Sequence, residues 1–318
     1  MQPIAILGAG TMGHGIAQVF AVRGHPVRLY DPSPAALKAA PQRIRRGLEP
    51  FLKLGLHTPG EAERCLENLT LCRGLEDACG GAGVVIEAAP EDLGLKQELL
   101  ASAQSSAGAE ALLCTNSSAL SVTAMARGLQ RPERLVGAHF WNPAAVIPCV
   151  EIVRGDKTSD LSVDEARALV TAAGKEPVLV RREVPGFLGN RLQHALQREA
   201  LYLVERGIAS PEDVDRVVKY GFGLRYALMG PLERADLGGL DVTYAVQQTV
   251  LPDLDNRTTP SELLRRRVLA GELGAKSGRG FYDWAPDQKE RLQARRELAL
   301  LEIIRLACGL DTEQEPSP

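Results

Sequence analysis

The chain opens on a pattern that leaves few folds available: "IAIL" (4–7), glycines at 8, 10 and 13, then an apolar run to Phe20. A short apolar strand running directly into G-x-G-x-x-G and a helix is the first βα step of a dinucleotide-binding βαβ unit. Gly8 permits the tight turn, Gly10 lets the backbone approach a pyrophosphate, and Gly13 lets helix and sheet pack closely, with Thr11 and Met12 completing the turn. The free N–H groups and partial positive charge of the helix start then face the phosphates. Alone, the glycine pattern is weak. The second strand, "VRLY" (27–30), leads into Asp31, where a carboxylate accepts from both adenine-ribose hydroxyls and repels a 2′-phosphate. This favours NAD over NADP. The plainer alternative is a packing turn followed by an Asp that caps a helix in "DPSP".

Short apolar runs continue at "LTLC" (69–72), "VVIEA" (84–88), "LLCT" (112–115), "LVGAHF" (135–140), "CVEIV" (149–153) and "PVLV" (177–180), most of them separated by helix-like segments. Continuous apolar strands between helices predict a mostly parallel sheet covered on both faces. The stretch 34–68 is too long for an ordinary crossover and reads as a basic helical excursion carrying Lys38, Arg43, Arg45, Arg46 and Lys53. After "VPGFLGNRL" (184–192) the pattern turns almost wholly helical, which puts a domain boundary near Glu183 to Pro185. The expected fold is therefore α/β: a Rossmann-type, doubly wound sheet domain (1–183), followed by an all-α domain (184–318).

Two domains suit 318 residues, and 45% hydrophobic with 24% charged residues suits a soluble globular protein. A formal charge of −3 gives no broad basic surface, so a nucleic-acid partner is not expected. No run approaches the roughly 18 apolar residues of a membrane span. The N-terminus lacks the cationic start of a signal peptide, so a cytoplasmic enzyme is expected. Cys65, Cys72, Cys79, Cys114, Cys149 and Cys308 form no C-x-x-C pair and have no neighbouring histidine, so they are expected to be reduced, buried and metal-free. The final "DTEQEPSP" reads as a frayed tail.

"GAHFWNPAAVIPCVEIV" (137–153) places His139, one of five histidines, at the end of one apolar run and Glu151 inside the next. Dinucleotide folds put substrate beyond the carboxyl ends of the strands, where His139 and the "TNSS" of 115–118 fall. Oxidising an alcohol requires a group that takes the hydroxyl proton as hydride leaves, and imidazole suits this near neutrality. If the chain reverses between Asn142 and Pro148, Glu151 comes alongside, fixes the tautomer and stabilises the imidazolium. A buried carboxylate needs a partner, and the histidine supplies one. The alternative is a core histidine beside an exposed glutamate.

Over almost its whole length the chain resembles the 3-hydroxyacyl-CoA dehydrogenase family. The resemblance rests on "GAGTMGHGIA", "EAAPEDLGLKQELL", "TNSSALSV", "GAHFWNPAAVIPCVEIV", "PGFLGNRL", "GPLERADLGGLD" and "KSGRGFYDW" in that order. It implies a His139–Glu151 dyad, with Ser118 and Asn190 contacting the reacting part of the substrate. It also implies that Glu91, Lys96 and Asn116 lie on the nicotinamide-ribose side of the cofactor, and that the chain dimerises through its helical domain. The helix expected at about 187–205 carries Leu188, Leu192, Ala195, Leu196 and Leu203 on one stripe, and Asn190, His194 and Gln197 on another. His14, His25 and His57 read as surface or turn residues.

"YGFGLRYALMGPLE" (220–233) is instead closer to the lambda-crystallin and L-gulonate 3-dehydrogenase branch, and its Arg225 could bind a free carboxylate in bidentate fashion. The expected activity is NAD-dependent interconversion of L-3-hydroxyacyl-CoA and 3-ketoacyl-CoA, as in fatty acid metabolism. The alternatives are a free 3-hydroxy acid, gulonate-like or carnitine-like, and a crystallin-like protein without turnover.

Overall fold

In a computed structural model, residues 2–307 are described; Cys308 and the "DTEQEPSP" tail lie outside them. The described residues form two compact units that divide between Arg191 and Leu192.

The first unit is built on eight strands: β1 Ile4–Leu7, β2 Val27–Tyr30, β3 Leu69–Cys72, β4 Val84–Glu87, β5 Leu112–Thr115, β6 Leu135–Phe140, β7 Cys149–Val153 and β8 Glu176–Val180. Their order is β3-β2-β1-β4-β5-β6-β7-β8, parallel except where β6 meets β7. The sheet is doubly wound, as the alternation of strand and helix signals requires. Its switch point lies between β1 and β4, where this architecture binds ligands.

The helices of this unit are α1 Gly13–Ala21, α2 Pro34–Lys53, α3 Pro59–Glu67, α4 Leu75–Cys79, α5 Leu93–Ala107, α6 Val122–Met125 and α7 Asp160–Ala172. Successive strand residues point to opposite faces, and each face has its own core. Ile4, Ile6, Val136, Ala138 and Phe140 pack with residues of α1, α2, α3 and α7. Ala5, Leu7, Leu135 and Val153 pack with residues of α4, α5 and α6. The basic excursion is α2 and α3. Ser33 and Thr58 cap their starts, and the Thr58 cap is reciprocated by Glu61.

The second unit is helical, with α8 Gly189–Glu205 leading into it. It holds α9 Pro211–Val217, α10 Gly223–Tyr226, α11 Pro231–Gly238, α12 Leu240–Val250, α13 Glu262–Leu269 and α14 Gln288–Ala307. A kink at Gly221, outside helical φ/ψ, separates α9 from α10. The unit departs from pure helix at two isolated bridges, Gly274 to Arg279 and Arg279 to Asp283. Gly274 and Gly278, both at positive φ, turn the chain there. An Arg257 fork anchors the unit internally, pairing with Asp255 and with Glu205.

Four cysteines of the first unit, Cys65, Cys72, Cys79 and Cys114, are buried and unpaired, while Cys149 is only partly covered. Burial pushes the thiols of Cys65, Cys79 and Cys114 up to about 12, so they behave as small hydrophobes. Among the described residues no cluster could hold a metal, and no helix is long and apolar enough to cross a membrane.

Candidate active site

The glycine turn after β1 takes the shape its sequence predicts. Gly8 sits at φ 112°, and a Cβ there would meet the Ala88 carbonyl at 2.6 Å. At Gly13 a Cβ would lie 1.7 Å from the Gly8 carbonyl, so only glycine lets the helix start this close. A Cβ at Gly10 would meet nothing within 4 Å, which is the open space a pyrophosphate needs beside bare backbone. Asp31 accepts the Ala9 N–H at 2.7 Å and the Ser33 N–H at 2.8 Å. Each oxygen keeps a lone pair for a ribose hydroxyl. The residues present fit a dinucleotide.

Two side chains join this turn unannounced by the motif. Arg43 of α2 donates to the Ala9 carbonyl at 3.2 Å, bringing one charge of the basic excursion over the loop. His14 is a half-buried helix residue rather than a surface one, and its Nδ1 donates to the Gly10 carbonyl at 2.6 Å. Burial, opposed by that hydrogen bond, holds its pKa below the ordinary value. His25 and His57 are likewise half-buried, packed against Phe20 and Phe51. In each case a neighbouring aromatic or carbonyl draws in a ring that composition alone places outside.

At the ends of β4 and β5 a polar network sits under the site. Glu87, fully buried, accepts from Lys96 Nζ at 2.6 Å, from the Ala89 N–H at 2.6 Å and from the Thr115 hydroxyl at 2.6 Å. Lys96 is 1% exposed and also donates to the Ala89 carbonyl at 3.1 Å. Its Nζ lies 3.5 Å from Glu91. Glu91 gathers the next loop, accepting from the Ser117 hydroxyl at 2.5 Å and from the N–H groups of Ser118 and Ala119 at 3.1 Å. Burial alone would raise the Glu91 pKa, but Ser117, the loop amides and Lys96 together leave it below the ordinary value. Asn116, also buried, accepts the Phe140 N–H at 2.8 Å and so ties this loop to the residue after His139.

β6 and β7 form the antiparallel pair that the reversal at 142–148 allows, and His139 stands directly opposite Glu151 in register. Both side chains are buried. His139 Nδ1 lies 2.7 Å from Glu151 Oε2, and His139 Nε2 lies 3.1 Å from Ser118 Oγ. Glu151 Oε1 accepts the N–H groups of Leu188 and Gly189 at 2.9 and 3.0 Å, so the same carboxylate caps the start of α8. Burial works to raise the Glu151 pKa, but the His139 hydrogen bond and the two amides outweigh it and keep the group ionised. An ionised acceptor at Nδ1 assigns the proton to that nitrogen. In the neutral ring this leaves Nε2 as the acceptor toward Ser118.

Asn190, on the first turn of α8, donates to the Ser118 carbonyl at 3.3 Å. Phe187 and Trp141 flank the imidazole, with centroids 5.7 and 5.6 Å away. Arg225 is exposed on α10 and His194 exposed on α8. The structure thus gathers His139, Glu151, Ser118 and Asn190 into one cluster, with Asn116 and Glu91 behind it.

Sequence reading missed Glu87, Trp141, Phe187 and Gly189. Only Glu87 had a signal: a carboxylate on an apolar strand, as Glu151 is.

Residues 3–184 match the family described as "3-hydroxyacyl-CoA dehydrogenase, NAD binding domain", and residues 186–284 match "3-hydroxyacyl-CoA dehydrogenase, C-terminal domain". The chain belongs to the 3-hydroxyacyl-CoA dehydrogenase family. It is accordingly an NAD-dependent oxidoreductase acting on CH–OH groups. Among relatives in this family, a 5-formyl-3-hydroxy-2-methylpyridine 4-carboxylate 5-dehydrogenase of Mesorhizobium japonicum is 35% identical, covering 97% of this chain and 99% of its own. A probable 3-hydroxybutyryl-CoA dehydrogenase of Bacillus subtilis is 38% identical over 89% of this chain and 98% of its own. A crystal structure of a dehydrogenase of the first kind, described as an NAD+ dependent dismutase, superposes with a TM-score of 0.91 at 34% identity, covering 97% and 99% of the two chains.

Proposed function

We propose that this dehydrogenase interconverts a hydroxyl and a carbonyl on a small carboxylic acid that carries no CoA, with His139 as general base and Glu151 as its orienter. The observation behind the chemistry is the His139 ring, with Nδ1 on a carboxylate and Nε2 facing the Ser118 hydroxyl. A substrate hydroxyl at that nitrogen loses its proton to Nε2, and Glu151 stabilises the imidazolium that forms. Bound NAD supplies the hydride acceptor. Ser118 and Asn190 hold the reacting oxygen. Glu91, Lys96 and Asn116 shape the nicotinamide-ribose side, and Asp31 with the glycine turn holds the adenosine and pyrophosphate. In this reading residues 1–183 are the dinucleotide-binding domain, and 184–318 are the helical substrate and dimerisation domain.

The CoA-free substrate draws its support from the pyridine-carboxylate relative, named for a free acid and matching both chains nearly end to end. Exposed Arg225 is a candidate for the carboxylate. A second reading, 3-hydroxyacyl-CoA, draws on the Bacillus relative and on "KSGRGFYDW". Steady-state assays with NAD on a panel of free hydroxy acids, aromatic hydroxymethyl or formyl acids and 3-hydroxybutyryl-CoA separate the two. Turnover confined to the thioester overturns the first reading.

The homodimer is proposed on a physical ground. α8, α11, α12 and α13 bury no residue in the single chain, and Leu228, Leu232 and Leu237 are 73%, 80% and 77% exposed. Apolar surface of that kind marks an interface. The expected compartment is the cytoplasm.

A further inference from the structure

Gly189 opens α8 without any need for glycine's backbone freedom, because its φ lies outside the left-handed range. What sets a glycine at this first helical residue is the space beside it. The space is taken by an indole. A Cβ on Gly189 would lie 2.1, 2.7 and 3.2 Å from three ring carbons of Trp141. The Trp141 Nε1–H is buried without a hydrogen-bond partner among the described residues, so packing alone sets the angle of the ring. The His139 imidazole is also a neighbour of that ring, 5.6 Å away. The Gly189 N–H, on the same residue, holds Glu151 at 3.0 Å.

We propose that Gly189 and Trp141 are an interlocked pair of positioning residues that set the geometry of the His139–Glu151 dyad. The missing side chain at 189 lets the indole lie against the start of α8. In that position the indole backs the imidazole, and the helix start keeps two amides on Glu151. A side chain at 189 cannot coexist with the indole as it lies, so either the ring that backs His139 or the helix start that holds Glu151 must shift. Either displaces the base, and a misplacement of about 1 Å can cost roughly 10²-fold in rate. This inference rests on His139 acting as base, as proposed above.

The test is Gly189→Ala made in two backgrounds, wild type and Trp141→Leu. With Trp141 in place kcat falls about tenfold or more, while the NAD dissociation constant, read by fluorescence titration without substrate, is unchanged. In the Trp141→Leu background the same substitution costs little. Independently of any substrate, the His139 imidazole NMR resonances, assigned with His139→Asn, move when Gly189→Ala is added to wild type and stay in place when it is added to Trp141→Leu. A Gly189→Ala chain that folds only together with Trp141→Leu is the same result in extreme form. Unchanged kcat and resonances in Gly189→Ala, equal loss in both backgrounds, or failure of both variants to fold overturns the proposal. If the wild type turns over none of the panel, the functional reading fails while the resonances still decide this one.

Discussion

His139 and Glu151 face each other across the only antiparallel step among the described strands of the sheet, with Nδ1 2.7 Å from Oε2. That one reversal is what lets a residue twelve positions later meet the imidazole, since a parallel neighbour would require a crossover of a dozen or more residues.

The Glu151 carboxylate is held below its ordinary pKa chiefly by donors, against its burial. A group depressed on folding contributes stability that is fully present above its unfolded pKa and is lost as pH falls through the lower folded value. Glu151→Gln should therefore be less stable than wild type at pH 7. The gap should narrow as pH is taken below about 4.5, the ordinary value for a glutamate. Urea unfolding at a series of pH values measures it.

The Glu87–Lys96 pair is nearly fully covered on both sides. Removing one partner of a buried pair typically costs about 3–5 kcal/mol, because the other charge is stranded. Glu87→Leu should lose stability on that scale, and adding Lys96→Met should recover much of it. Denaturant midpoints of the three proteins decide the matter.

Asp31 should govern cofactor choice. Hydrogen bonds to a charged group contribute about 1.5–3 kcal/mol, so Asp31→Ala should weaken NAD roughly 10–100-fold and narrow the margin over NADP. Titration of both dinucleotides checks this.

The exposed leucines near and on α11 should be covered by a second copy. Leu232→Glu should lower the mass found by light scattering from a dimer toward a monomer. A wild-type chain that is monomeric at micromolar concentration contradicts the dimer directly.

Much of the sheet was legible because its signals are local: glycines that must turn, apolar runs of strand length, and carboxylates inside those runs. His139 and Ser118 could be placed together because strand ends in this architecture converge, and Glu151 because the chain reverses beside His139, whereas Asn190 joined them only through the family resemblance. The fit of Trp141 against Gly189 was not legible, since nothing local says that a glycine 48 residues away receives an indole. Glu87 was overlooked because its partner, Lys96, comes from a helix whose first residues are otherwise exposed. The half-buried His14, His25 and His57 escaped for a similar reason: each is covered by a group that only the folded chain brings near.

The most direct test compares His139→Ala with wild type on a substrate the wild type oxidises, measuring NAD binding and kcat side by side. A general base at His139 predicts unchanged NAD affinity and a kcat lowered about 10²–10⁴-fold, the usual cost of losing such a group. Turnover at the wild-type rate in that variant would contradict it.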